Sequence, residues 1–348
     1  MAPQMNRFYD SLTEQERESA QDVARSYGRH FFGLYKGLLE AKEASTSPYY
    51  VGLSSEMGGF THVTKRVVLV TDTVLMSGHG TGGVQDLGEY TTTSYRNMEG
   101  QDLEIHTNRR YGMVATDLVK LGQWLLDAEP LLRSGLVWYG PVYIKGSPVE
   151  NFDLRWNPSV PLPSSADHAA VDFVVKHGRA VDLSRAKPLA SRVVRPILEI
   201  DLPFIDGLAL SDFAKVTREE FDSYTQYRDF MRSRLLELDD ALEAVDSQVA
   251  LERVALSIRD ELNAATAEMS RAARSQALIR SGAVLGSTSA ILAAVRPDAL
   301  QGALATSATL AAGATGLWPT IQAFADSKPK RTNGKWHYVW VLQKKAAR

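Results

Sequence analysis

The chain has 348 residues, more than one typical domain of about 100–200 residues holds, so at least two structural units are predicted. Its 39 Lys and Arg nearly balance its 41 Asp and Glu, which argues against a protein built mainly to hold nucleic acid. The absence of cysteine excludes disulfides, thiol catalysis and Cys-ligated zinc. A polar, charged N-terminus and zero cysteine are typical of a cytoplasmic protein, which is the localisation we expect.

A long amphipathic helix is predicted near the N-terminus. Thr13–Glu16 has the Thr-x-x-Glu pattern of a capping box, in which each side chain satisfies a backbone N–H at the helix start. Apolar residues then recur at helical spacing as far as Ala41. This pattern predicts a helix over residues 14–43 that packs one face on the core.

The strongest strand pattern covers Lys65–Met76, where Val and Leu form a run typical of a strand buried on both faces. Gly78, Gly80 and Gly83 follow and match G-x-G-x-x-G, the fingerprint of a dinucleotide-binding loop. That fingerprint needs a helix behind the loop, and residues 84–110 show no helical period. The sequence therefore favours a mobile glycine loop and leaves cofactor binding by these glycines as the weaker alternative.

The following hundred residues alternate helix and strand signals. The predicted elements are a helix from Tyr111 to Pro130, a strand over Gly135–Lys145, a loop over Pro148–Ser165, a helix over Asp167–His177 that stops at Gly178, and a strand over Val193–Leu202. Such alternation predicts an α/β or α+β unit over residues 1–207.

Two segments carry a resemblance to other proteins. The first is Gln123–Pro141, which contains Leu-Leu-Asp-Ala-Glu-Pro-Leu-Leu-Arg-Ser-Gly-Leu-Val. The second is Leu202–Leu235, which runs from Leu-Pro-Phe-Ile-Asp-Gly-Leu to Tyr-Arg-Asp-Phe-Met-Arg. Both resemble segments of uncharacterised bacterial proteins of actinobacterial type, and they cover about a fifth of the chain. The resemblance implies an α/β N-terminal part and a helical C-terminal part, and it brings no catalytic residues.

A long helical, coiled-coil-like region is predicted over residues 208–280. Thr217–Glu220 repeats the capping-box pattern, and a heptad seam then runs from Phe221 to Val249. A second seam runs from Leu251 to Ala272 in a different register, so the helix either stutters or turns back near residues 246–248. Packing within the chain and a coiled coil between chains both fit these seams, and we expect a homo-oligomer.

Residues 281–326 form the next predicted unit, and its residues 281–325 carry no charge apart from one Arg-Pro-Asp interruption. The halves are too short or too polar for permanent membrane spans, but they suit a tightly packed helical hairpin. Such a hairpin is buried, inserts conditionally into a membrane, or binds a partner. The last unit, residues 327–348, carries seven basic and no acidic residues, and its aromatic run predicts a C-terminal strand that returns to the N-terminal sheet. It also suits contact with an anionic membrane. The residues assigned to a membrane or partner contact are Gly282, Gly286, Lys328, Lys330, Arg331, Trp336 and Trp340.

A divalent-metal site is the candidate chemistry. Asp72 lies in the predicted strand and His79 in the glycine loop, while Glu104 and His106 share one face if residues 101–107 are extended. Carboxylates and imidazoles suit a catalytic metal, so these four residues would serve a metal-dependent hydrolase or nuclease. The chain contains no zinc-protease, α/β-hydrolase or P-loop motif, and no cofactor is indicated.

The missing catalytic motif and the pronounced helical C-terminal part together decide the expected function. We expect a non-enzymatic cytoplasmic interaction or effector protein that acts by self-association or transient membrane contact through its C-terminal helices. The alternative is a metal-dependent hydrolase or nuclease with a helical accessory domain.

Overall fold

The computed structural model describes residues 1–79, 83–96, 102–145, 170–183, 187–200, 202–244, 249–250, 253, 256–257 and 334–346. The strands are β1 (Tyr50–Ser55), β2 (Thr73–Gly78), β3 (Gly83–Arg96), β4 (Asp102–Ala115), β5 (Val137–Tyr139), β6 (Val142–Lys145), β7 (Phe173–Lys176) and β8 (Arg179–Asp182). The helices are α1 (Ala2–Ser11), α2 (Glu14–Glu18), α3 (Ala20–Phe31), α4 (Tyr35–Glu43), α5 (Phe60–Val67), α6 (Leu118–Asp127), α7 (Glu129–Arg133), α8 (Pro188–Glu199), α9 (Pro203–Asp206), α10 (Leu210–Glu219), α11 (Phe221–Glu243) and α12 (Lys335–Ala346).

A five-stranded sheet in the order β5-β2-β1-β7-β8 forms the centre of the molecule. The first four of these strands are parallel, and only β8 runs antiparallel, paired with β7. The chain adds β2 and then β5 on one side of β1, and it later returns to add β7 on the other side of β1. If the four parallel strands are numbered in chain order, their order in the sheet is therefore 3-2-1-4. The direction of winding therefore reverses between β1 and β7. This sheet with its helices confirms the predicted α/β N-terminal unit.

A second sheet, β3-β4-β6, is antiparallel and built on one long hairpin. Its base pairs Gly83 with Ala115, and its outer end pairs Arg96 with Asp102. The backbones approach closely at Gly112, where a Cβ would lie 2.7 Å from the carbonyl oxygen of Gln85, so glycine is required there. The sequence predicts Glu104 and His106 on one face if residues 101–107 are extended. Residues 102–107 belong to β4 and are extended.

The predicted strand over Lys65–Met76 is half wrong. Its first residues complete α5, which begins before it at Phe60, and only Thr73 onward forms β2. Val63, Val67 and the following valines are all buried. A fully buried aliphatic run fits a helix and a strand equally well, because neither period shows when every side is covered.

Two further assignments between residues 167 and 202 are wrong. The predicted strand Val193–Leu202 is mostly α8, whose buried residues Val193, Val194, Ile197 and Leu198 follow a helical period. The predicted helix ending at Gly178 is β7, within the described part of that range. His177 and Gly178 both have positive φ, 50° and 77°, which suits the two-residue turn that joins β7 to β8.

The predicted helix 14–43 is divided into α2, α3 and α4. Its capping box is confirmed: the Glu16 amide donates to the Thr13 hydroxyl at 3.2 Å, and the Thr13 amide donates to the Glu16 carboxylate at 2.9 Å. Ser19 then begins α3 by accepting from the amide of Asp22. The predicted strand Gly135–Lys145 is divided as well, because Gly140 and Pro141 separate β5 and β6, which belong to different sheets.

The helix α11 packs inside the molecule and does not continue past its end. Its apolar seam is buried, including Tyr224, Met231 and Leu235. After Ala244, which is extended, the guanidinium of Arg234 donates to the hydroxyl of Ser257 at 2.6 Å. One continuous helix would separate those two residues by about 34 Å, so the chain turns back instead of stuttering.

The C-terminal segment 335–346 is a helix, so the predicted C-terminal strand is wrong. Tyr338, Val339 and Leu342 are buried against α9, α10 and α11, and this spacing of one and four residues is helical. The aromatic β-propensity of the segment is overridden by this packing. The second capping box is also wrong: Thr217 lies inside α10 and donates to the carbonyl of Phe213.

Most of the second predicted seam lies outside the described residues, as does the whole hairpin unit with Gly282 and Gly286. The same holds for three predicted contact residues of the C-terminal unit, Lys328, Lys330 and Arg331. Among the helices that are described, none combines the length and the apolar composition needed to cross a bilayer. Contact with a membrane therefore stays a prediction.

Candidate functional site

The carboxyl ends of the parallel strands meet at one edge of the central sheet. In open α/β sheets ligands bind outside this edge, where the winding direction reverses. Here that position lies at the ends of β1 and β7, with β2 and β5 alongside. We call the residues gathered there the edge site: Ser54, Ser55, Met57, Gly58, Gly59, Gly78, His79 and Tyr139.

The turn between β1 and α5 presents free backbone amides to the edge site. Met57–Gly59 forms one turn of 3-10 helix, in which the amide of Gly59 donates to the carbonyl of Glu56 at 2.8 Å. The amides of Met57 and Gly58 find no acceptor within the described part of the chain. No side chain caps α5 either. Unpaired amides at a helix start favour a bound anion, because the N–H groups and the helix dipole both point at it.

The side chain of Tyr139 reaches the same turn from β5. Alternation along the strands places Tyr139, Gly78 and Ser55 on one side of the sheet. The Tyr139 residue is 2% exposed, and its ring lies 6.2 Å from that of Phe60. A Cβ on Gly78 would lie 3.7 Å from the Tyr139 hydroxyl and 3.5 Å from Met57 Sδ. The hydroxyl therefore borders a small space left by the missing side chain of Gly78.

The Tyr139 hydroxyl has no hydrogen-bond partner among the described residues, whereas its backbone is fully held. The hydroxyl of Tyr27 donates to the Tyr139 carbonyl at 2.7 Å and accepts from its amide at 3.1 Å. Burial raises the pKa of the Tyr139 phenol well above its usual range, so the group stays protonated and can donate.

A serine–histidine pair occupies the other side of the sheet at this edge. Ser54 Oγ lies 3.0 Å from His79 Nδ1, and the His79 amide donates to the Ser55 carbonyl at 3.1 Å. His79 Nε2 is buried and has no partner in the described structure. A hydroxyl within hydrogen-bond reach of an imidazole can act as a nucleophile with its base. The predicted site residue His79 therefore does belong to the edge site.

Asp72, the predicted carboxylate ligand, lies at the opposite end of β2. Its carboxylate accepts from the Ser47 hydroxyl at 2.7 Å and from Arg232 at 2.7 Å, with Arg228 at 3.4 Å. Burial alone would raise the pKa of Asp72, but the hydrogen bonds from Ser47 and Arg232 and both arginine charges outweigh burial and lower it. Seven residues of extended chain, about 23 Å, separate it from His79. It anchors α11 and does not reach the edge site.

Glu104 and His106 lie in the outer half of the β3–β4 hairpin, where His106 pairs with Thr93. The base of the hairpin, at Ala115, is nine residues or about 31 Å away. The structure therefore does not bring the four predicted metal ligands together. No group of three or more possible metal ligands occurs anywhere in the described residues.

The predicted glycine fingerprint is divided by the fold. Gly78 ends β2 and Gly83 begins β3, so a strand follows this loop where the fingerprint needs a helix, and Gly80 lies outside the described residues. The strand–turn–helix arrangement occurs one strand earlier, at Gly58 and Gly59. The sequence signal for this arrangement was a pair of adjacent glycines between a strand-like run and a helical run. No sequence signal pointed to Tyr139 as a residue of the site.

Trp336 and Trp340, predicted for a membrane or partner contact, lie on α12. The Trp336 ring lies 5.3 Å from that of Phe230 and is partly buried. The Trp340 ring stacks on His337 at 5.7 Å. Trp336 thus contributes to the packing of α12 on α11.

A cavity of about 490 Å³ lies between α8 and α11. Arg192, which lines it, forms ion pairs with Asp239 and Asp240 of α11. These pairs hold the two helices together, so the charge of Arg192 is already balanced.

Comparison with family models, with curated proteins and with solved structures found no match to this chain. The geometry of the edge site is therefore the basis for inferring a function.

Proposed function

We propose that this chain is a non-enzymatic interaction or effector protein whose α/β unit binds a phosphate-bearing nucleotide at the edge site. The observation that carries the proposal is the turn at Met57 and Gly58. Its two amides, which find no acceptor among the described residues, lie at the start of α5, directly after β1 and beside the reversal of winding. This is the place where doubly wound sheets hold a pyrophosphate.

A crevice opens at the edge site between the ends of β1 and β7, where the winding reverses. The charge on its β7 side supports an anionic ligand. Leu53 of β1 pairs with Phe173 of β7, so the end of β7 lies level with the β1–α5 turn. Lys176 and Arg179 are exposed at that end. Two cations beside the crevice raise the local concentration of a phosphate-bearing ligand.

The far end of α5 connects the edge site to the C-terminal helices. Lys65 Nζ donates to the carbonyls of Ile205 and Leu208, at 2.7 and 2.8 Å, and Arg66 Nη2 donates to both carboxylate oxygens of Asp206. These residues belong to α9 and the turn after it, which pack against α12. A ligand that shifts α5 therefore acts on the helices through direct bonds, which supports an effector role.

A matched pair of glycine variants tests nucleotide binding. Gly58 and Gly207 are both exposed, and a Cβ on either would meet no described atom within 4 Å, so Gly58→Glu and Gly207→Glu should both fold. Only the first places a carboxylate at the free amides. We expect ADP, ATP or NAD⁺ to raise the melting temperature of the wild type and Gly207→Glu, with little effect on Gly58→Glu.

Titration calorimetry with the same nucleotides should give the same order of affinities. A nucleotide at 100 times its Kd stabilises the fold by about 2.7 kcal/mol, which a melting curve resolves easily. An unchanged response in Gly58→Glu would show that the turn does not hold the phosphate. No response of the wild type to any of the three nucleotides would refute nucleotide binding itself.

The output of the proposed effector is self-association or transient contact with an anionic membrane through its C-terminal part. Light scattering and flotation with phosphatidylserine vesicles, with and without nucleotide, measure both. We expect nucleotide to change at least one of them in the wild type, and neither in Gly58→Glu. A bound nucleotide that changes neither would contradict the effector role while leaving the binding site intact.

A second candidate function is hydrolysis, favoured by the contact between Ser54 and His79. The metal-dependent form of this alternative loses support, because Asp72, Glu104 and His106 lie away from His79. A fluorophosphonate probe tests the serine directly: labelling lost in Ser54→Ala but kept in Ser77→Ala would favour a serine hydrolase. Absence of labelling in the wild type would leave the non-enzymatic proposal.

A further inference from the structure

Resting on nucleotide binding at the edge site, we infer that the Tyr139 hydroxyl donates a hydrogen bond to a ligand phosphate oxygen seated against the backbone of Gly78. The phosphate would then meet three neutral donors, namely this hydroxyl and the amides of Met57 and Gly58. The inference names the part of the ligand that is recognised and a side chain that selects it.

The first reason is that the Tyr139 hydroxyl has no hydrogen-bond partner among the described residues. Its residue is 2% exposed, and the hydroxyl forms no hydrogen bond with any described residue. Its side chain is nearly buried, yet the hydroxyl is not among the buried polar atoms that lack a partner, so it can donate to a ligand that enters the space beside it. The two bonds from Tyr27 fix the Tyr139 backbone, and the contact with Phe60 restricts its ring. The hydroxyl is therefore held in place at the edge.

The second reason is the glycine opposite it. A Cβ at position 78 would lie 3.7 Å from the hydroxyl and 3.5 Å from Met57 Sδ, both ordinary contact distances. Gly78 does not have a positive φ, so its backbone does not require glycine. The fold tolerates a side chain there, yet the sequence leaves the space open. A ligand atom in that space would touch the hydroxyl and the turn that begins α5.

The chemistry of the three donors fits a phosphate. Burial keeps the Tyr139 phenol protonated, so it donates at every physiological pH. Backbone amides at a helix start and a hydroxyl are donors that phosphate oxygens accept strongly, because a charged acceptor strengthens each bond. The exposed cations at the end of β7 would attract the ligand, while the neutral donors fix its position.

The experiment compares full-length Tyr139→Phe and Gly78→Ala with wild type, using ADP, NAD⁺ or whichever nucleotide binds, by titration calorimetry. We expect each substitution to weaken binding about tenfold, since one hydrogen bond to a charged group is lost or its acceptor is displaced. Gly207→Ala, at an open surface turn, is the control for the glycine change and should bind as wild type does.

Melting temperatures of the free proteins complete the test. Tyr139→Phe should melt close to the wild-type temperature, because its hydroxyl has no hydrogen-bond partner among the described residues, whereas Tyr27→Phe loses two hydrogen bonds and should melt lower. If Tyr139→Phe binds as tightly as wild type while Gly58→Glu does not bind, the role of Tyr139 is wrong and nucleotide binding stands. A clear drop in the melting temperature of Tyr139→Phe would also overturn the inference, since the hydroxyl would then have a partner in the protein. If no nucleotide binds to wild type, both proposals fail together.

Discussion

A buried ion pair holds β7 beside β1, and Asp172→Asn tests it. Lys42 Nζ lies 3.0 Å from Asp172 Oδ2, and the two side chains are only 4% and 6% exposed. The same carboxylate oxygen accepts from the amide of Gly52 in β1 at 2.7 Å. The pair therefore fixes the two strands between which the winding reverses, and with them the shape of the crevice.

The magnitude follows from leaving Lys42 without its counter-charge. Removal of one partner of a buried pair typically costs 3–5 kcal/mol. Asparagine keeps an oxygen for the Gly52 amide, so we expect about 3 kcal/mol. Lys187 adds to the loss: burial lowers the pKa of its ammonium, and Asp172 is the charge that opposes this effect. A loss of this size is a large fraction of the 5–15 kcal/mol that typically stabilises a domain.

Urea unfolding of a double-mutant cycle measures the pair. Lys42→Met should cost about as much as Asp172→Asn, whereas the combination Lys42→Met/Asp172→Asn should recover most of the loss, because no charge of the pair is left unpaired and Asn keeps an acceptor for the Gly52 amide. Lys36→Met on the same helix is the control: its pair with Glu40 spans 3.9 Å and is exposed, so it should change stability by less than about 0.5 kcal/mol. A cost below about 1 kcal/mol for Asp172→Asn would refute this account.

Three further substitutions have expected effects on urea unfolding. Asp72→Asn should cost about 1 kcal/mol at pH 7, since its carboxylate is partly exposed. Because folding lowers the pKa of Asp72, the wild-type advantage is present above pH ~4 and disappears as the pH falls further; an advantage that persisted at pH 2 would contradict the ion pairs. Gly122→Val should cost about 3 kcal/mol or more, because a Cβ there would lie 1.6 Å from the Ala20 carbonyl oxygen and force α3 from α6; a neutral result would exclude that close approach. Tyr338→Phe should cost about 1 kcal/mol through its lost 2.8 Å bond to Thr217; an unchanged stability would contradict that bond.

Local signals predicted the elements that depend on local interactions. The capping box at Thr13 and the amphipathic seam of α11 were both readable, because each concerns residues three or four positions apart. The helix α6 was predicted as well, although its start was placed too early, since Tyr111–Val114 belongs to β4. Boundaries are harder to predict because tertiary contacts move them.

Non-local pairing explains the elements that the sequence did not predict. Val68 and Val193 have strand-forming side chains, yet packing places them in a turn and in a helix. Tyr139 belongs to the edge site only because β5 pairs with β2, more than sixty residues earlier in the chain. Gly58 and Gly59 could have been found as a strand–turn–helix signal. The partner residues at the edge depend on strand order, which no local pattern encodes.

The docking of α12 changes how a role of residues 281–325 must be tested. Tyr338, Val339 and Leu342 are 0%, 3% and 0% exposed, so truncation after residue 333 removes three buried side chains. At about 1.5–3 kcal/mol each, that loss rivals the whole stability of a domain, and we expect the truncated chain to lose cooperative unfolding. The predicted unit 1–207 therefore does not hold all of its packing partners.

Internal deletion of residues 281–325 keeps α12 and should leave the fold intact. It about halves the connection from Glu243 to Gly334, and halving a loop changes its closure free energy by only about 0.6 kcal/mol. We expect urea unfolding within about 1 kcal/mol of wild type and an unchanged melting response to nucleotide. Loss of self-association or of vesicle flotation in this variant would then report on residues 281–325 themselves. If the deletion unfolds the chain, the segment is part of the core; if both activities persist in a folded variant, the effector role of the segment is wrong.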